Sequence, residues 1–213
     1  MYVIFDLDDT LVHSDAVRAA FGAVADELGV SRSLLTRTLD GLPGRPAAEI
    51  FRALGLSDAT ARAAAARFLD LLAELDERVP TVAYPDADTT VRVLAARGTT
   101  LMLSTGSPPE RARKVLDQEG WDAFSVALGS RAGCRKGPAH YEQMGASAAD
   151  DAWAQDAVTV GDSPADMRLG AEHGVPVRIG IARDRDPATL RAAGATHVVH
   201  TLADILPILA TAV

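Results

Sequence analysis

The sequence is poor in cysteine and in lysine, and each shortage limits what the chain can do. It holds one cysteine, Cys134, in 213 residues, so no disulfide can form within the chain and a reducing compartment is expected. Basic residues are almost all arginine, 19 against two lysines, Lys114 and Lys136. With so few lysines, each is a candidate for a specific task, whereas an arginine carries little positional information.

Long basic runs and long apolar runs are also missing. The net charge is −8 and the pI about 5.1, which argues against nucleic acid or an anionic membrane surface as the main partner. No stretch has eighteen consecutive apolar residues, and Asp6 interrupts the apolar start directly after Phe5. We therefore expect a soluble, cytoplasmic protein, and 48% hydrophobic residues suffice for one substantial core.

The first twelve residues, MYVIFDLDDTLV, place three carboxylates directly after a short apolar strand. The strand is predicted over Tyr2 to Phe5, and Asp6, Asp8 and Asp9 follow it. Like charges this close repel each other, and a bound cation would remove the conflict. Ligand and catalytic groups gather beyond the carboxyl ends of strands in open α/β sheets. The alternative is a solvated acidic turn with Asx-turn hydrogen bonds.

Asp6 and Asp8 have a spacing that suits a pair of catalytic carboxylates. Residues two apart on an extended backbone point to the same side, so both side chains can reach one substrate atom. A carboxylate beside Mg²⁺ stays ionised and can attack phosphorus, while its neighbour can hold a proton at a higher pH. The pair is thus interpreted as a nucleophile and a general acid.

The remaining chain divides into a helical part and an alternating part. Helical spacing of apolar residues and helix caps predict four helices between Ser14 and Arg78. From Tyr84 onward, strands alternate with helices of about ten residues, which predicts a parallel sheet covered on both faces. The elements expected there include strands at 100–104, 124–128 and 175–179, a helix at 109–119 and a final helix from Leu202. The fold class is therefore α/β, a doubly wound, Rossmann-like sheet core with an inserted α-helical domain. We expect the core at 1–13 and 81–213 and the insert at 14–80.

Three later segments also carry polar groups that suit a phosphate and a metal ion. Thr105 and Gly106 follow the strand at 100–104, where a hydroxyl and a free amide can bind a phosphate oxygen, although Thr105 and Ser107 can instead cap the following helix. Lys136 precedes Gly137-Pro138, and a surface lysine is the alternative there. Asp162 and Asp166 can converge on one hard cation, although Asp166 can simply favour a helix N-terminus.

Taken together, the ordered segments resemble the four motifs of the haloacid dehalogenase-like hydrolase superfamily. They are DLDDT at 6–10, the apolar strand ending in Thr105, Lys136 before Gly-Pro, and GDSPAD at 161–166. The helical insert after the first motif resembles the cap of the subgroup that includes phosphoglycolate phosphatases, and residues 190–206 resemble that subgroup's ending. Asp9 stands where many members have Gly, and His13 where Asp is common.

The resemblance implies a role for each site residue. Asp6 would be the nucleophile and a Mg²⁺ ligand, and Asp8 the acid/base residue whose backbone carbonyl also binds the metal. Thr105 and Lys136 would clamp the phosphate, together with the amide of Gly106 noted above, and Lys136 would assist catalysis. Asp162 would ligate Mg²⁺ directly, and Asp166 would act on the metal through water or by orienting the other ligands.

The reaction implied is Mg²⁺-dependent hydrolysis of a small phosphate monoester, phosphoglycolate-like or a sugar phosphate, through an aspartyl-phosphate. The alternatives are a sugar phosphomutase of the same superfamily and a relative that binds metal or phosphate without turnover. Known mutases resemble one another in using a cap histidine and a cap lysine, and the insert contains neither residue. The partner is a small phosphorylated metabolite, and specificity is expected to depend on Arg45 and the loop 41–44.

Overall fold

The computed structural model describes residues 1–42, 45–131, 134–148, 150, 152–183 and 185–211. The chain forms two compact units: Met1–His13 with Ala83–Val213, and Ser14–Val82. The strands are β1 Tyr2–Phe5, β2 Val12–His13, β3 Val82–Ala83, β4 Thr100–Ser104, β5 Phe124–Leu128, β6 Ala157–Gly161, β7 Val177–Ile181 and β8 His197–Val199. The helices are α1 Asp15–Glu27, α2 Arg32–Gly41, α3 Ala47–Ala53, α4 Asp58–Asp76, α5 Ala87–Ala96, α6 Pro109–Glu119, α7 Pro138–Ser147, α8 Pro164–Glu172, α9 Pro187–Ala192 and α10 Ile205–Thr211.

The first unit is built on a six-stranded sheet in the order β5-β4-β1-β6-β7-β8, while β2 and β3 form a separate two-stranded sheet. All pairs in the large sheet are parallel. β1 is central, and the chain winds outward from it in both directions, first through β4 and β5 and then through β6 to β8. This order confirms the predicted α/β class. The direction in which strands are added reverses at β1, and open α/β sheets bind ligands beyond the carboxyl ends of the strands at such a point.

Both faces of the central strands β1, β4 and β6 are buried. Val3 and Phe5 of β1 belong to one hydrophobic core together with Leu101, Leu103 and Val160. Ile4 lies in a second core with Met102 and Tyr141. Successive residues of a strand face opposite sides, so the uninterrupted apolar run of β1 is what a strand covered on both faces requires.

The second unit is a bundle of the four helices α1 to α4 with its own core, which includes Phe21, Phe51 and Phe68. The ring centroids of Phe21 and Phe68 are 4.2 Å apart. Ser31 and Ser57 cap α2 and α4 by accepting hydrogen bonds from Leu34 N and Thr60 N, a role for which serine is among the preferred residues.

Several elements differ from the sequence prediction. The strand predicted at 175–179 runs instead from Val177 to Ile181, because Pro176 lacks the N–H that a strand ladder uses. A 3₁₀ helix at Trp153–Asp156 was not predicted. Within the described residues, no helix combines the length and apolar character needed to cross a membrane.

Candidate active site

Three of the predicted segments meet at the carboxyl edge of the large sheet. Phe5, the last residue of β1, pairs with Leu103 of β4 and with Val160 of β6, so all three strands end at similar heights. The amide of Asp6 continues the ladder by donating to Val160 O at 2.9 Å. Asp6, Thr105 and Asp162 therefore follow neighbouring strand ends at one edge of the sheet.

A cluster of three buried carboxylates lies at this edge. Asp6, Asp162 and Asp166 each offer one carboxylate oxygen, and these oxygens all lie within 4.8 Å of one another. Asp166 is fixed by a capping box at the start of α8, since its Oδ2 accepts from Ser163 N at 3.1 Å and from Ser163 Oγ at 2.6 Å. A Cβ at Gly161 would lie 2.5 Å from Asp166 Cγ, so only glycine at position 161 leaves room for this carboxylate.

Lys136 joins the cluster and is not a surface residue. Its Nζ lies 2.8 Å from Asp6 Oδ1 and 2.6 Å from Asp166 Oδ1, and its side chain is 7% exposed. The backbone nearby is tied to the segment after β4, because Ser130 Oγ donates to Thr105 O at 3.2 Å and accepts from Lys136 N at 2.9 Å. Ser130 thus connects the two segments predicted to clamp a phosphate.

The electrostatics of the cluster are those of a crowded, desolvated acidic site. Burial raises the pKa of Asp6 well above its ordinary value; Lys136 opposes this rise, and Asp166 and Asp162 add to it. Burial also raises the pKa of Asp162 to about 6, against the influence of Arg185, whose Nε is 2.9 Å from Asp162 Oδ2. Burial alone would lower the pKa of Lys136, but Asp166 and Asp6 raise it above its ordinary value, so Lys136 remains a cation.

The donor set fits a hard divalent cation. Three carboxylates face two cations, Lys136 and Arg185, within this group of five side chains, which leaves one negative charge in excess. Carboxylate oxygens are the ligands that Mg²⁺ and Ca²⁺ prefer. A bound dication would favour the ionised carboxylates, which burial disfavours.

The carboxylate of Asp8 is held by a different set of groups. Arg111 Nη1 donates to Asp8 Oδ1 at 2.6 Å, and Ser107 Oγ donates to Asp8 Oδ2 at 2.7 Å. Thr105 Oγ1 accepts from Ser107 N at 3.1 Å and lies 3.4 Å from Asp8 Oδ2. Ser107 is therefore not the cap of α6; the N-cap is Pro108, without a side-chain cap hydrogen bond.

Comparison with known proteins identifies the family. A family model described as haloacid dehalogenase-like hydrolase matches residues 3–179, a range that includes all the predicted site residues. The chain belongs to the haloacid dehalogenase-like hydrolases. The resemblance stated from the four motifs is confirmed, and with it the expectation that this protein is a hydrolase.

Individual relatives agree with this assignment. The chain is 32% identical over 193 residues to the phosphoglycolate phosphatase of Rhodospirillum rubrum, covering 82% of this chain and 77% of that protein. Its fold is similar to that of a predicted phosphatase from Clostridium acetobutylicum, with a TM-score of 0.84, 20% identity, and coverage of 99% and 98% of the two chains. A predicted phosphoglycolate phosphatase from Haemophilus somnus 129PT gives a TM-score of 0.78 at 20% identity, with coverage of 97% and 96%.

The turn after Asp8 explains the departure at Asp9 from the usual haloacid dehalogenase-like motif. Asp9 has a φ of 59°, in the left-handed region, and Leu7 O accepts from Leu11 N at 2.9 Å and from Val12 N at 3.1 Å. Glycine adopts such a backbone at no steric cost, and Asp is among the few other residues that tolerate it. The tight turn therefore accounts for the glycine common at this position and for its replacement by Asp here.

Four residues of this haloacid dehalogenase-like site were not predicted as site residues: Ser107, Arg111, Ser130 and Arg185. Arg111 could have been noticed from the sequence in one way. It lies on the same face of α6 as Ala112, Val115 and Leu116, and this face is buried. A cation on an apolar helix face is unusual unless it is paired. Arg45, named as a specificity residue, contacts Glu49 at 3.3 Å and is exposed, while Pro43 and Gly44 lie outside the described residues.

Proposed function

We propose that this protein is a Mg²⁺-dependent phosphatase that hydrolyses a small phosphate monoester through an aspartyl-phosphate on Asp6. The observation that carries the proposal is the convergence of Asp6, Asp162 and Asp166 within 4.8 Å, with Lys136 bridging Asp6 and Asp166. A phosphoglycolate-like ester is the favoured substrate, because the chain is similar to the phosphoglycolate phosphatase of Rhodospirillum rubrum. A sugar phosphate is the other candidate.

Metal binding is assigned to Asp6, Asp162 and Asp166, with the backbone carbonyl of Asp8 as a further ligand. Mg²⁺ bound there would supply charge stabilisation for the oxygens of the transferring phosphoryl group. Lys136 contributes a second positive charge, since its raised pKa keeps it protonated. The amide of Gly106 and the hydroxyl of Thr105 are assigned to the remaining phosphate oxygens, as donors that stabilise the charge in the transition state.

Asp6 and Asp8 both act in each of the two halves of the reaction. Asp6 attacks phosphorus, and Asp8 donates a proton to the leaving oxygen as the ester bond breaks. Asp8 then takes a proton from the water that attacks the aspartyl-phosphate, which releases phosphate and frees Asp6. Splitting one difficult displacement into two easier ones is what covalent catalysis provides.

Substrate selection is assigned to the helical insert at 14–80, and catalysis to the core at 1–13 and 81–213. This division follows the one proposed from the sequence, and each unit has a hydrophobic core of its own. The insert has neither lysine nor histidine, which favours hydrolysis over the mutase reaction, in which known enzymes use such groups.

The test is phosphate release from a panel of esters. The purified protein is incubated with 2-phosphoglycolate, hexose 1-phosphates, hexose 6-phosphates and p-nitrophenyl phosphate, with Mg²⁺ or with excess chelator. We expect stoichiometric phosphate release from at least one alkyl ester, abolished by chelator and restored by added Mg²⁺. Full activity in chelator would refute the metal requirement.

Each alternative function has its own outcome in the same panel. Conversion of a hexose 1-phosphate to the 6-phosphate faster than phosphate release, followed by ³¹P NMR, would indicate a mutase. Binding of Mg²⁺ and phosphate by titration calorimetry, with no ester turned over, would indicate a binding protein without catalysis.

A further inference from the structure

Arg111 is a buried cation on a helix face that otherwise packs against the core. It is the third residue of α6 and is buried together with Ala112, Val115 and Leu116, and its side chain is 4% exposed. Burying a guanidinium is costly unless it is paired and hydrogen-bonded. An apolar side chain would fill this position without that cost, so packing alone does not account for an arginine.

The contacts of Arg111 lead to Asp8. Its Nη1 lies 2.6 Å from Asp8 Oδ1 and 3.0 Å from Ser107 Oγ. Ser107 Oγ in turn donates to Asp8 Oδ2 at 2.7 Å. Both carboxylate oxygens of Asp8 are therefore bound by one segment, the beginning of α6 and the residues before it, and this arrangement fixes the orientation of the carboxylate.

We propose that Arg111 is a positioning residue, which holds the Asp8 carboxyl group where it exchanges protons with the leaving oxygen and with water. This role rests on the proposed function, because it has meaning only if Asp8 is the acid and base. Asp8 gives its proton to the leaving oxygen as the ester P–O bond breaks. It regains one from water as water attacks phosphorus and the bond to Asp6 breaks, so Asp8 ends in its starting form.

A positioning role for Arg111 predicts an effect that depends on the leaving group. The ratio kcat/KM reports the steps up to departure of the leaving group, and an alkoxide needs a proton from Asp8 far more than p-nitrophenolate does. General acid catalysis contributes about 10²- to 10⁴-fold. Replacing Arg111 should therefore lower kcat/KM for an alkyl ester by about 10²-fold or more, and for p-nitrophenyl phosphate by much less.

The decisive variant is Arg111→Met, which keeps most of the side-chain volume and removes the charge. We expect the leaving-group-dependent loss described above, with an unchanged inhibition constant for inorganic phosphate. Equal losses for both esters would overturn the proposal, since a structural defect affects both alike. A weakened inhibition by phosphate would overturn it in favour of direct phosphate binding, and an increase in kcat/KM would show that Arg111 restrains Asp8 instead.

Two further variants keep the test decisive. Ser107→Ala removes the hydroxyl that accepts from Arg111 Nη1 and donates to Asp8 Oδ2. It should lower kcat/KM less than Arg111→Met does, but again more for the alkyl ester than for p-nitrophenyl phosphate. This variant tests the proposal even if Arg111→Met does not fold. Arg178→Met is the matched control, because Arg178 is a partly buried arginine whose Nε donates to Gly194 O at 2.7 Å; any loss there should be equal for both esters.

Absence of phosphate release by the wild type from any ester would instead refute the proposed function itself.

Discussion

His140 is a fully buried histidine next to the strand that leads to Thr105. Its Nδ1 lies 2.9 Å from Ser104 Oγ, and both residues are buried. Burial, together with the nearby cation Lys136, lowers the pKa of His140 to about 4. The folded protein therefore holds a neutral imidazole at neutral pH.

This histidine should make folding stability depend on pH. The unfolded chain takes up the proton near pH 6.5 and the folded protein only near pH 4, so the unfolded state holds more protons between these values. Stability is therefore lost as the pH falls through that window. Urea unfolding at pH 7 and pH 5 should show that the wild type loses about 2 kcal/mol more than His140→Gln. Equal losses in the two proteins would contradict the assignment.

Among single residues of the site, the acidic groups are easier to predict from the sequence than the basic ones. Asp6, Asp162, Asp166 and Lys136 sit in short motifs whose chemistry is visible locally, and the structure brings all four together. Arg111 and Arg185 are two of 19 arginines, and their local sequence does not show what they contact. Their roles are visible only from their contacts with Asp8 and Asp162, which are distant in sequence. Ser107 was interpreted as a helix cap because Asp8, its actual partner, is 99 residues away.

Arg185 follows β7 and precedes α9, and it contacts one of the carboxylates that are proposed to bind the metal. Its Nε donates to Asp162 Oδ2 at 2.9 Å, and the side chain is 24% exposed. A cation that occupies one oxygen of Asp162 competes with a metal ion for the same carboxylate. A hydrogen bond to a charged group of this kind contributes on the order of 1.5 kcal/mol.

Arg185→Gln should therefore bind Mg²⁺ more tightly than the wild type. We expect a decrease of about threefold to tenfold in Kd, measured by titration calorimetry without substrate. Arg191→Gln removes the same charge from an exposed position on α9 and should leave Kd nearly unchanged. Weaker binding by Arg185→Gln would mean that Arg185 orients Asp162 for the metal and does not compete with it.

Elements with strong local signals were predictable, and those that depend on tertiary contacts were not. β4, β5 and α6 have the predicted bounds, since apolar periodicity and a C-terminal glycine such as Gly120 define them locally. The final helix starts at Ile205 and not at the predicted Leu202. Leu202 N instead donates to Asp86 Oδ2, a contact that the sequence does not reveal.

At the scale of the whole molecule, the two units have separate hydrophobic cores. One core lies wholly within Met1–His13 and Ala83–Val213, and the other within Ser14–Val82. The two ends of the interruption in the first unit lie side by side, because Tyr84 N donates to Leu11 O at 3.0 Å. A short linker can therefore replace the helical unit and leave every strand of the six-stranded sheet in place.

A variant in which a short Gly-Ser linker replaces residues 14–82 should fold on its own. Both tryptophans, Trp121 and Trp153, lie in the remaining unit, so their fluorescence reports its unfolding in urea. We expect one cooperative transition, Mg²⁺ binding close to that of the full chain, and loss of discrimination among the phosphate esters. A non-cooperative transition would show that the α/β unit depends on the helical one, and retained discrimination would refute the assignment of selectivity to 14–80.

Trapping the covalent intermediate shows directly whether Asp6 is the nucleophile of a two-step phosphoryl transfer. The enzyme is mixed with Mg²⁺ and its best ester, quenched in acid within milliseconds, and digested for peptide mass spectrometry. We predict one phosphoryl group on Asp6, and neither label nor turnover in Asp6→Asn, while Asp117→Asn, a matched change at an exposed residue, behaves as the wild type. Label on Asp8, or normal phosphate release by folded Asp6→Asn, would show that Asp6 is not the nucleophile.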